Sequence, residues 1–297
     1  MEFKKATKIN RKLRLALTGP TGAGKTYSAL AIASGLSQKV ALIDTEHESS
    51  TNYADDHDFN LLVLKNFNPQ NYIDALAKAA EHKFEVVIID SLSHAWCGKG
   101  GALELVDQAA ARNKGSSFTS WREVTPLQNR LIDAIVSAPF HVIATMRSKM
   151  ESQMQQNPDT NRMEIKKLGM APIQRDGVEY EFDLVGEIDA QHRLIFTKSR
   201  IKSFADRMIV NPGADIGKEI LAWISSGKPQ EPEEQKITEP QRKKLFSMLT
   251  TMEKEGKILG SFKEDLKTRY QIESSKDLTM SQATEVIEIL TQLQKVN

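Results

Sequence analysis

The segment GPTGAGKT, Gly19 to Thr26, has the residue types and spacing that hold a phosphate chain. It fits G-x-x-x-x-G-K-[ST] between an apolar run and a run of helical period. Glycines let successive backbone N–H groups turn toward an anion with no Cβ in the way, and the following helix offers its positive end. Gly19, Pro20, Thr21, Gly22, Ala23 and Gly24 are the expected cradle, with Tyr27 at its far side. Lys25 is spaced to reach β- and γ-phosphates, and the Thr26 hydroxyl to hold Mg²⁺. Asp90, closing the apolar run VVIID, is the matching acid for that ion, or else a turn or N-cap residue. The next residue is Ser91, so a carboxylate that activates water must come from another strand end. LIDTEHESS, Leu42 to Ser50, carries Asp44, Glu46 and Glu48. Carboxyl ends of parallel strands line one crevice, so Glu46 is the expected base; the alternative is a solvated loop acid.

These residues need a scaffold, and the hydrophobic pattern describes one. Apolar runs at Leu13–Gly19, Lys39–Thr45, Leu61–Asn66, Phe84–Ser91 and Phe140–Arg147 alternate with helical patterns at 26–36, 71–82 and 121–138. Fully apolar strands alternating with helices predict an α/β fold, a parallel sheet covered on both faces. Shorter alternating segments, Glu179–Asp189 and His192–Arg200, predict antiparallel strands extending it. GKPQEPEEQK, residues 227–236, combines proline, glycine and charge with little to bury, and reads as a linker. Beyond it three capping-box spacings, Thr238/Gln241, Ser261/Glu264 and Thr279/Gln282, predict a three-helix module over 237–297. The layout is a basic arm (1–12), a core (13–226), the linker and the module.

Bulk composition narrows the class. Lys+Arg 40 against Asp+Glu 39 leaves a net charge of +1, so any attraction to nucleic acid must be local. The single cysteine, Cys97, excludes an internal disulfide framework and fits a reducing, cytoplasmic setting, where it reads as an incidental small residue. No run approaches the roughly 18 apolar residues of a membrane helix. The basic N-terminus MEFKKATKINRKLR is either a solvated tail or a contact with nucleic acid or a neighbouring subunit.

At this point a resemblance becomes specific. IDTEH resembles the I-D-x-E-H segment of RecA-type ATPases, whose catalytic glutamate lies on this strand; that match assigns the role to Glu46. VVIIDS is similar to their Walker B strand, which ends Asp-Ser with no adjacent glutamate. FHVIATMR ends in Thr145 and Arg147, where such proteins have a polar γ-phosphate sensor and then a basic residue entering a DNA-binding loop. Threonine here replaces the glutamine of RecA. TKSR supplies Lys198 and Arg200, which look like the paired cations that reach a neighbour's γ-phosphate; their i, i+2 spacing points both to one side of a strand. The alternative is an exposed basic pair protecting an edge strand. The resemblance covers roughly residues 12–226 and looks most like phage-encoded ATPases of the single-strand annealing and recombination group. It implies a RecA-like P-loop NTPase core, ATP and Mg²⁺ as cofactors, single-stranded DNA as partner, and self-association into a filament or ring.

Two polar segments follow the strands ending at Asp90 and Arg147. Gly98–Ser120 carries Lys99, Arg112 and Lys114, flanked by Phe118 and Trp121; Ser148–Lys167 carries Lys149, Arg162, Lys166 and Lys167. Both are expected as long loops, binding DNA with Arg147 or simply mobile. The C-terminal module would recruit DNA or a replication or recombination partner. The leading expectation is a DNA-stimulated ATPase for annealing or strand exchange, and the runner-up a ring helicase or helicase loader. A small-molecule kinase and a slowly hydrolysing nucleotide switch complete the alternatives.

Overall fold

A computed structural model of the protein describes residues 5–113, 117–156, 163–228, 237–256, 262–270, 272, 274 and 277–295. Contacts divide the chain into two compact units, Met1–Pro229 and Gln230–Asn297.

In the first unit the apolar runs become the strands β1 (Arg14–Gly19), β2 (Val40–Asp44), β3 (Asn60–Val63), β4 (Val86–Asp90) and β5 (His141–Gln156). With β7 (Leu184–Ile188) they form a parallel sheet of order β3-β2-β4-β5-β1-β7, continued by antiparallel β8 (Arg193–Ser199) and β9 (Met208–Val210). Alternate residues feed two cores. Leu15, Leu17, Leu42, Ile88 and Ile143 pack on α1 (Lys25–Leu36) and α6 (Ala214–Ser225); Ile43, Val87, Ile89, Val142 and Ala144 pack on α2 (Pro69–Glu81) and α5 (Ser117–Ser137). The mixed α/β sheet with helices on both faces is the expected architecture.

Three local expectations need correction. The segment 179–189 is not one antiparallel strand. Val178–Glu181 is a 3-10 turn, and β7 pairs with β1 in parallel, because the chain re-enters at the amino end of the sheet, where Asp183 N–H bonds Arg14 O. Gly98–Ser120 is not a loop. It contains α4 (Ala102–Asn113) and the start of α5, with α3 (Ser93–Cys97) just before it. Ala102, Val106 and Val124 close a small core there, a helical spacing disguised by small residues. Ser148–Lys167 is not a loop either. Strand β5 continues past Arg147 and pairs antiparallel with β6 (Met163–Pro172), Ser148 opposite Pro172 and Gln156 opposite Met163. Lys149, Met150, Glu151, Ser152 and Met154 are all exposed, so among the described side chains this stretch of β5 lacks the covered face that makes strand periodicity readable.

The arm reaches its own core: Lys8 donates to Trp223 O and Ser226 Oγ and lies 3.7 Å over the Trp223 ring. In the second unit, α7 (Glu239–Lys254), α8 (Phe262–Tyr270) and α9 (Met280–Lys295) enclose Leu245, Leu249, Leu266, Val286 and Leu290. The capping boxes at Thr238/Gln241 and Thr279/Gln282 are formed; Ser261, and the linker from residue 229, lie outside the described residues. No helix among the described residues is long and apolar enough to cross a membrane.

Candidate active site

The carboxyl ends of β1, β2, β4 and β5 meet at one edge. Asp44 lies opposite Asp90 in the ladder, and Gly19 opposite Arg147. The phosphate loop joins β1 to α1 and needs its glycines. A Cβ on Gly19 would sit 2.3 Å from Ile188 O, while Gly22 and Gly24 have φ of +74° and +85°. Lys25 Nζ rests on Pro20 O at 2.7 Å. Burial pushes its ammonium below the ordinary lysine value, opposed by Asp90 and Glu46 and reinforced by the Arg147 cation. The β7–β8 turn closes over the loop, with His192 Nδ1 3.0 Å from Ala23 O. Beside the loop, Tyr27 makes T-shaped contacts with Tyr53 and His57 at 5.7 and 5.0 Å and is itself partly exposed.

Asp90 is almost wholly buried and accepts the Thr26 hydroxyl at 2.7 Å and the Thr145 hydroxyl. Burial pushes its carboxyl above the ordinary value, and the two hydroxyl bonds oppose that shift. A hydroxyl and a carboxylate in contact are the oxygen ligands Mg²⁺ uses when substrate phosphates and water complete its shell. Thr26 and Asp90 therefore fit the ion, and the cradle with Lys25 fits the phosphates. Thr145, expected to read the γ-phosphate, gives its hydroxyl to Asp90 instead.

Glu46 is positioned by its neighbours. Asp44, fully buried, accepts the backbone N–H groups of Glu46 (2.7 Å), Glu48 (3.1 Å) and Ser50 (3.4 Å) and the Ser50 hydroxyl, which folds the loop after β2 around one carboxylate. His47 and Glu48 follow at positive φ. Arg147 then grips Glu46 with both arms of a fork, Nε at 3.1 Å from Oε1 and Nη2 at 2.6 Å from Oε2. From the other side, His94 Nε2 stands 3.9 Å from Oε1. Thr45 Oγ1 accepts the Ser91 N–H at 2.8 Å, donates to Asp90 O at 3.0 Å and lies 2.7 Å from His94 Nδ1, so it anchors the ring beside Glu46. Burial and then Arg147 push the His94 imidazole below its ordinary value, against the pull of Glu46, so it is neutral near pH 7.

The remaining expected residues are scattered. Lys198 and Arg200 lie at the opposite end of the sheet, since β8 runs antiparallel and Lys198 pairs with Val185 near the start of β7. Lys198 Nζ donates to Glu179 O and Tyr180 O, and Arg200 pairs with Asp183 at 3.1 Å, so neither meets its own chain's phosphate loop. Of the cations expected on DNA, Lys99 and Lys149 are exposed. Arg112 pairs with Glu123 at 2.7 Å and Arg147 with Glu46, so these two are not free cations on loops. Lys114 and Arg162 lie outside the described residues, as do the side chains of Lys166 and Lys167 on β6. Phe118 is 84% exposed, whereas Trp121 stacks on Trp96 at 5.3 Å. His94, Thr45, His192, Tyr53 and His57 were not legible as site residues.

A family profile described as an AAA domain matches residues 11–207, most of the first unit. No curated protein gives a match to the chain. With its phosphate loop, the Thr26–Asp90 pair and the profile spanning two-thirds of its length, the chain belongs to the AAA-domain family of P-loop ATPases.

Proposed function

We propose that this ATPase is a RecA-like recombination protein that binds single-stranded DNA and acts as an oligomer, in annealing or strand exchange. One observation carries the reading: the β5–β6 ribbon, exposed over Lys149–Ser152, is the direct continuation of the strand that bears Thr145 and Arg147 at the nucleotide edge. A ligand on the ribbon pulls on the strand that touches Asp90 and Glu46. Lys149 on the ribbon and Lys99 on the same edge supply charge for a phosphate backbone, and Phe118 supplies a ring face for a base. Lys198 and Arg200, at the far end of the sheet from their own phosphate loop, would act on another copy's nucleotide in this reading.

In this mechanism Mg-ATP supplies the phosphoryl group. The loop N–H groups and Lys25 would hold the phosphates, Thr26 and Asp90 would ligate the ion, which would neutralise phosphate charge, and Glu46 would take the proton of the attacking water. Asp44 and His94 keep that carboxylate aimed, and the partly exposed Tyr27 stands beside the loop, where it would meet the nucleotide base.

The test is steady-state ATP turnover without DNA, with single-stranded DNA and with duplex, for wild type and Lys149→Ala. The expected result is stimulation by single strands of about tenfold or more, blunted in the variant by weaker DNA binding as one phosphate contact is lost. Turnover indifferent to DNA, with no single-strand binding, would remove the recombination reading and leave the ATPase.

A further inference from the structure

The contact that stands out after the mechanism is assigned is the fork between Arg147 and Glu46. It occupies both oxygens of the carboxylate proposed to activate water, and it comes from a residue expected to hold DNA.

The surroundings fix the backbone of Arg147 and leave its side chain free to exchange partners. Its N–H donates to Ser93 Oγ at 2.9 Å, its carbonyl accepts from Ile173 N–H at 2.7 Å, and its ladder partner is Gly19, the first residue of the phosphate loop. Adjacent strands lie about 4.8 Å apart, so the side chain starts beside the phosphate cradle. The influence of Arg147 on the Lys25 ammonium reports the same closeness. The arginine is nearly half exposed in the pair and Glu46 over a quarter, and ion pairs this wet are weak enough to exchange. Thr145, the other polar side chain at this strand end, already serves Asp90.

We propose that Arg147 is a latch on Glu46 that the γ-phosphate opens. A terminal phosphate brings more charge than a carboxylate and the same fork-matching oxygens, so it draws the guanidinium away. Glu46 is then released to water while His94 remains beside it. ADP lacks the group that competes and leaves the latch closed. The inference rests on the ATPase reading and makes Arg147 a γ-phosphate contact and a positioning residue for the base.

The prediction concerns binding and needs no turnover. Titration calorimetry with Mg-ADP and with a non-hydrolysable Mg-ATP analogue compares wild type, Arg147→Ala, Arg147→Lys, Glu46→Gln and the Arg147→Ala/Glu46→Gln double variant. Glu46→Gln weakens the latch, so the analogue binds about three- to fivefold tighter while ADP is unchanged. Arg147→Ala weakens the analogue about tenfold or more and spares ADP; the lysine variant, with charge but no fork, falls between. The double variant matches Arg147→Ala, since no latch remains to release. If Arg147→Ala changes ADP and analogue affinity equally or not at all, or if Glu46→Gln leaves the analogue unchanged, the latch is refuted. Wild type that binds neither nucleotide would overturn the ATPase reading itself, and the latch with it.

Discussion

Glu46, the proposed base, owes its placement to neighbours that are not themselves reactive. Asp44 is the residue that shapes its loop: four donors converge on it within seven positions, so the chain after β2 has one compact path. Burial and Arg147 push the His94 imidazole below its ordinary value, and its contact with Thr45 Oγ1 anchors the ring beside Glu46. The residues proposed to react could be picked from the sequence because phosphate chemistry needs fixed local spacing, as in Gly19–Thr26, or a strand-end acid, as in Asp90 and Glu46. The positioning residues were not, because Thr45, His94 and His192 act across strands that only the fold brings together. A different buried imidazole gives a pH test of the core. His141 is buried with Nδ1 accepting the Leu13 N–H at 3.0 Å, and burial, with Lys12 and Arg14 adding to it, lowers its pKa from 6.5 to about 4. Its neutral form is the one the fold needs. Stability is therefore fully present above pH 6.5 and is lost as pH falls from 6.5 toward 4, about 3 kcal/mol in all. His141→Asn keeps an acceptor for Leu13 and removes the titration. Denaturant unfolding at pH 7 and pH 5 should show wild type losing about 2 kcal/mol more than the variant. An equal loss in both would contradict the assignment.

At the scale of elements, the parallel strands were readable because burial on both faces makes them continuous apolar runs, while amphipathic α2 and α5 show helical period. What escaped has physical reasons. Helix α4 presents Ala102, Val106 and Ala109, whose small side chains give a weak signal among charges. The β5 half of the ribbon is solvated on both sides over Lys149–Ser152 and carries no alternation. Strand β7 lies between β1 and β8, and its direction follows from where residues 173–183 return the chain, which no local pattern encodes. The packing of α1 on α6 is another tertiary feature: a Cβ on Gly217 would lie 2.1 Å from Ile32 O, and one on Gly35 2.0 Å from Ala214 O. Backbone oxygens cannot step aside, so Gly217→Ala must push the helices apart. Overpacking of this kind costs about 1–3 kcal/mol, a fall in melting temperature of roughly 3–10 °C by calorimetry. An unchanged melting temperature would mean the helices are not in that close contact.

At the scale of the whole molecule, the strand order gathers four carboxyl ends into one edge: the phosphate loop after β1, the Glu46 loop after β2, Asp90 on β4 and Arg147 on β5. The AAA-domain match covers this unit, and the helical unit 230–297 has a core of its own built on Leu245, Leu249 and Leu290. Water activation from β2, with serine after the β4 aspartate, is the central claim, and it depends on the sheet order as much as on any residue. The most direct test is single-turnover hydrolysis of radiolabelled ATP by the full chain, wild type against Glu46→Gln, with nucleotide affinity measured on the same samples. Loss of the base should slow the chemical step about 10²–10⁴-fold while ATP still binds at least as tightly as in wild type. A Glu46→Gln protein that hydrolyses bound ATP at the wild-type rate would contradict the account and move the catalytic carboxylate elsewhere.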